Sequence, residues 1–95
     1  LSGLKKIATY AELRHKPFAP HHGGSGLGVA AHLHLSATCS NSHYVELLQE
    51  PPFLSVETFQ GMITTPLIPD AEGNVLLPEG PGLGVELNDR WERVG

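Results

Sequence analysis

Apolar positions recur at helical spacing at the start of the chain. In SGLKKIATYAELRHK, Leu4, Ile7, Ala8 and Ala11 fall on one stripe, so residues 2–16 read as an amphipathic helix. Ser2 is the expected N-cap. Arg14, His15 and Lys16 crowd the far end, where the helix dipole favours positive charge, and Pro17 stops the helix. PFAP is short and proline-rich, yet its place between two helical patterns reads as a short buried parallel strand. SGLGVAAHLHLSAT is the next helix, with Ser25 as its cap. Two rows on it are candidates for burial: Ala31, Leu35 and Thr38, or Leu27, Ala30 and His34. CSNS ends that helix, and HYVELL reads as a strand. Helix, strand, helix, strand is the α/β order.

The pattern changes at QEPP. Beyond it, MITTPLIP and NVLLP flank DAEG and read as a hairpin or a pair of nearby strands. EGPGLGVEL is a glycine-rich turn, and NDRWERVG fits one helical turn capped by Asn88, whose Trp91 lacks obvious neighbours. The chain therefore divides near Glu50 into an α/β piece, 1–50, and a mostly β tail, 51–95, that is expected to pack on something else.

Composition narrows the class. The chain has 95 residues, 40% of them hydrophobic and 17% charged, which suits a globular unit with a modest core. Eleven glycines and eight prolines give turns a large share. The single cysteine, Cys39, excludes an internal disulfide framework and a multi-thiolate metal site, and fits a reducing compartment such as the cytoplasm. No apolar run is long enough to span a membrane, and no signal-peptide pattern opens the chain. The missing initiator Met points to a processed product or a fragment. Of the ten acidic residues, all but Glu12 lie beyond position 43, and the net charge is −4, so a nucleic-acid or membrane-surface partner is not expected.

Few residues offer chemistry. His21 and His22 follow the expected strand and precede a glycine loop and a helix, the edge where parallel α/β folds place their sites. They are either functional or two loop histidines, and on an extended segment only one of them faces a given side. Gly23, Gly24, Gly26 and Gly28 form either an anion nest or a tight, closely packed turn; the spacing is not a phosphate-loop motif. His32 and His34 are too close in sequence to share a metal from one helix face. Glu46 stands in an otherwise apolar strand, where a carboxylate needs water, a cation or a substrate. No GxSxG elbow is present, Glu46, Glu50 and Glu57 fit no metal-loop spacing, and Cys39 has no activating base beside it in sequence.

The run PFAPHHGGSGLGVAAHLHLSATCSNSHYVELL, followed by PLIPDAEGNVLLPEGPGLGVEL, resembles the C-terminal end of the mandelate racemase and muconate lactonizing enzyme group of the enolase superfamily. Within it, the chain is most similar to acid-sugar dehydratases of the galactonate dehydratase kind. The resemblance implies a partial (β/α) barrel, the last two strands and their helices, followed by a β-rich tail that packs on a capping domain. A whole barrel takes about 250 residues. It places the family's seventh-strand acid–base histidine on His21, with His22 as the fallback, and its eighth-strand carboxylate, which bonds the substrate or intermediate, on Glu46. These positions lie 25 apart.

The implied activity is Mg²⁺-dependent dehydration of a sugar acid, by removal of the proton next to a carboxylate and loss of water. The Mg²⁺ ligands, the opposing base and an aspartate partner for the histidine are expected upstream, so the chain alone is expected to be inactive and its parent a homo-oligomer. A racemase or cycloisomerase of the same superfamily is the alternative among enzymes. A small noncatalytic α/β interaction module is the alternative outside them.

Overall fold

The structure is a computed structural model that describes residues 1–22 and 24–91. Gly23 of the glycine run, and residues 92–95 of the C-terminal turn with Arg93, lie outside the described residues. Among the described residues three helices follow in order: α1 (Ser2–Leu13), α2 (Gly26–Ala37) and the short α3 (Val56–Gln60), with a 3₁₀ turn over Asp89–Trp91 near the end.

Helix α1 begins at Ser2, the residue expected to cap it. Leu1 is the N-cap, and no side chain closes that end. Of its stripe, Ala8 is buried, Leu4 and Ala11 are half-buried, and Ile7 faces solvent. The helix ends at Leu13, so the basic residues lie just past it. The Lys16 N–H donates to the Ala11 carbonyl and the His15 N–H to the Glu12 carbonyl, both at 2.9 Å. This is a Schellman closure, and it puts His15 at the left-handed position, φ 56°. Asn41 ties the same end to the loop after α2: its Nδ2 donates to Ala8 O at 3.1 Å and Lys16 O at 3.0 Å.

Helix α2 spans 26–37 between Ser25 and Thr38, close to its expected bounds, although the Ser25 side chain makes no capping bond. Its deepest row is neither of the two expected. Gly26, Val29, Ala30 and Leu33 form it, at i, i+3, i+4 and i+7. That row meets Ile63 and Leu67, with Leu27, Val45, Leu47, Met62, Val75, Leu83 and Val85 around it. Gly26 is fixed by this contact, since a Cβ there would stand 2.9 Å from Ile63 Cδ1. The core therefore draws on residues from both sides of position 50.

The expected strands are absent. The described residues contain no β-strand, only two isolated antiparallel bridges, Glu50–Leu54 and Ile63–Leu87. This corrects both the partial barrel and the β-rich tail. A parallel strand is made by its neighbours, which take up its N–H and C=O groups on each side. Residues 17–20 and 43–48 make no such ladder; the Phe18 N–H instead donates to the Asn41 carbonyl in the loop after α2. Only the alternation of HYVELL survives, with Val45 and Leu47 packed toward the core and Glu46 between them exposed. DAEG does reverse the chain, but through a local turn: Asp70 N–H donates to Asn74 O at 2.8 Å, and Asp70 Oδ1 accepts from the Glu72 and Asn74 N–H groups. Asn88 caps the last turn by accepting from the Arg90 N–H at 3.1 Å, and Trp91 is largely exposed.

In place of a ladder, a side chain holds the second half. Gln60, 4% exposed, donates from Nε2 to Leu67 O at 2.9 Å and accepts from the Leu67 N–H at 2.6 Å. Its amide pairs with one residue's backbone as a neighbouring strand does. Nearby, the Thr64 N–H donates to Glu86 O and the Asn88 N–H to Met62 O, which closes 62–64 onto 86–88. Imidazole adds one more tie: His34 Nε2–H donates to Leu83 O at 3.0 Å, across 49 positions.

Two stability effects are expected. Gln60→Leu leaves both backbone groups of Leu67 buried and unpaired, so the urea midpoint should fall by the equivalent of about 2–4 kcal/mol with little change in slope. His15→Gly relieves a left-handed side-chain conformation and should raise stability by about 0.5–1 kcal/mol in the same measurement.

Candidate functional site

His21 and Glu46 come together. His21 sits just after Pro20, which is buried, and Glu46 projects outward from the segment whose Val45 and Leu47 face the core. His21 Nδ1–H donates to the Glu46 carboxylate, with Nδ1 at 2.8 Å from one oxygen and 3.0 Å from the other. The side chains are 80% and 41% exposed, so the pair stands at the surface. With the Nδ1 proton held by Glu46, Nε2 is the nitrogen left to exchange a proton with a bound molecule. An exposed pair of this kind contributes about 0–1 kcal/mol, while fixing the backbone of one residue costs roughly 1–2 kcal/mol. The pair therefore does not organise the chain; the chain holds the pair.

His22 points elsewhere. Its Nε2–H donates to the Ser25 carbonyl at 3.2 Å, and its ring meets the His32 ring at 4.7 Å between centroids. Gly24 and Gly28 lie directly against that ring, and Gly26 lies against Ile63. These glycines thus serve close packing. The approach of His22 to Gly28 joins positions six apart and leaves no periodic trace in the sequence. His32 and His34 separate as their spacing requires: one packs on His22, the other bonds Leu83.

Cys39 is half-buried. Its Sγ donates to Leu35 O at 3.3 Å and lies 3.6 Å from Lys5 Nζ, which also bonds the Thr38 carbonyl at 2.7 Å. That arrangement fastens α1 to the end of α2. A cleft of about 420 Å³ lies alongside the Glu46 segment, lined among others by His43, Val45, Leu47 and Asn74. It takes the neighbours of Glu46.

Among the described residues, no three His, Cys, Asp or Glu side chains gather closely enough to hold a metal ion. The residues present therefore do not fit the Mg²⁺ that the resemblance implies. No helix among them is long and apolar enough to cross a membrane.

A sequence model of the family described as enolase C-terminal domain-like matches residues 1–91. The chain is 33% identical over 91 residues to D-galactarolactone cycloisomerase of Agrobacterium fabrum (strain C58), covering 92% of this chain and 24% of that protein. It is 27% identical over 89 residues to arabinonate dehydratase of Saccharolobus solfataricus (strain P2), covering 94% of this chain and 22% of that protein. The chain thus spans about a quarter of the length of these relatives. No solved structure matches it.

The histidine cluster gives a pH-dependent stability. Burial, and then the neighbouring charge of His22, hold His32 below its ordinary value of 6.5, and its buried Nδ1 has no hydrogen-bond partner among the described residues. The unfolded chain therefore binds the His32 proton more readily than the native one. The contribution is complete above the ordinary value and is lost as pH falls through it toward the native value. The urea midpoint should drop on acidification across that window, and His32→Leu should remove this part of the slope.

Proposed function

Since the chain belongs to the enolase C-terminal domain-like family, we propose that it contributes the acid–base histidine of a lyase that removes water from a sugar acid. The observation that carries this reading is the bond from His21 Nδ1 to the Glu46 carboxylate. His21 is the catalytic residue and Glu46 its positioning residue. Glu46 fixes the proton on Nδ1, so that Nε2 is the nitrogen through which a proton passes to a departing hydroxyl. Loss of that hydroxyl as water, from the carbon next to the one that gave up its proton, leaves an enol that turns into a 2-keto acid. The group that removes the first proton is assigned to a part of the protein outside these residues, as is any bound Mg²⁺. Arabinonate dehydratase, by its name, removes water from a sugar acid.

A second reading is cycloisomerisation, favoured by the 33% identity to D-galactarolactone cycloisomerase. There the same imidazole serves a proton transfer without net loss of water. The partner in either case is a small sugar acid, in a cytoplasmic homo-oligomer.

The two readings separate in one assay. The intact gene product carrying residues 1–95 is offered a panel of aldonic acids, aldaric acids and aldarolactones, and products are identified by mass. Dehydration lowers the product mass by one water; cycloisomerisation leaves it unchanged. His21→Asn is expected to lower kcat by about 10²–10⁴-fold and Glu46→Gln by less. Wild-type turnover in His21→Asn would exclude His21 from the chemistry.

A further inference from the structure

His21 and His22 are neighbours with opposite surroundings. The His21 side chain is four-fifths exposed and touches Glu46. The His22 ring is enclosed on several sides. Below it are two glycines so close that a side chain at either would displace the ring: a Cβ at Gly28 would fall 2.0 Å from Nε2, and one at Gly24 would fall 2.8 Å from Cε1. On another side the His32 ring meets it edge-on, with the planes at 73°. Its Nε2–H donates to the carbonyl of Ser25, the N-cap of α2. The ring is thus seated on the first turn of a helix that is itself buried in the core.

This seating bears on His21 through the backbone. Pro20, on its other side, is buried and has its φ set by its own ring. His21 is therefore a short exposed step between two anchored residues, which limits the directions its imidazole can take.

We propose that His22 is a positioning residue: its ring, locked in the slot formed by Gly24, Gly28 and His32, holds the backbone so that His21 Nδ1 meets Glu46. The importance of this for catalysis rests on the reading given under Proposed function; the placement itself does not. On this basis the two histidines divide the work, His21 meeting the reacting molecule and His22 the scaffold. The slot also gives Gly28 a defined purpose inside a helix, where glycine is otherwise unfavourable.

Nitrogen-detected NMR of the imidazole rings in the 95-residue chain tests the proposal without any turnover assay. Glu46→Ala supplies the reference for a lost contact. His22→Ala and Gly28→Ala are both expected to move the His21 nitrogen resonances onto that reference, while far-UV circular dichroism keeps the helical signal. Alanine is a better helix former than glycine, so a loss at His21 in Gly28→Ala cannot be laid to a melted α2. His22→Gln, whose side-chain N–H₂ can still reach the Ser25 carbonyl, is expected to retain the wild-type His21 signature. Three results would overturn the proposal: wild-type His21 resonances in His22→Ala, recovery of them in the double variant His22→Ala with Gly28→Ala, or a wild type indistinguishable from Glu46→Ala. Absence of sugar-acid turnover would defeat the catalytic reading and leave this result standing.

Discussion

One side-chain amide takes the place of a sheet in this chain. Gln60 satisfies both backbone groups of Leu67 in a position sealed from water, and so Leu67 can be buried against α2 without a neighbouring strand. An unpaired peptide group there would cost more than the apolar contact of a single side chain returns. With Leu67 and Ile63 held in place, the row Gly26, Val29, Ala30 and Leu33 is covered, and α2 becomes the platform on which the loop before it is built. The radius of gyration, 14.3 Å against about 12 Å for a compact unit of this length, fits a core this small.

Helices α1 and α2 were legible because their signals are local, whereas α3, within the expected β tail, was not. Pro17 and the CSNS segment bound them closely, and the stripe through Ala8 and Ala11 needs only a periodicity of 3.6. The buried row of α2 was not, because an alanine-rich helix has apolar positions on nearly every face and the choice is made by Ile63, far along the chain. The strands failed for a related reason. HYVELL has a strand-like composition and PFAP a strand-like place between two helices, but pairing is a property of what lies beside them, and the described residues place no ladder there. Gln60 did leave a trace: it stands in register with Val56, Phe59 and Ile63, a polar group on an apolar row, which signals a buried amide with partners to find.

The juxtaposition of His21 and Glu46 shows how much of a site a sequence can carry without its architecture. Both residues stood out by type and by likeness to a family, and the structure brings them within hydrogen-bonding distance although neither lies in a strand. The role of His22 was hidden because its partners are glycines. A residue without a side chain gives no chemical hint that another ring occupies the space it leaves.

The covering of α2 by Ile63 and the long tie from His34 to Leu83 also bear on how the chain reaches this state. Helices α1 and α2 can nucleate from contacts within a turn, on the sub-microsecond to microsecond scale. Their burial must wait until the sixties and eighties return to them, and closing such loops costs chain entropy before any contact rewards it. Between these events α2 presents its valine and leucines to water, so the interval before closure is when self-association would compete with folding.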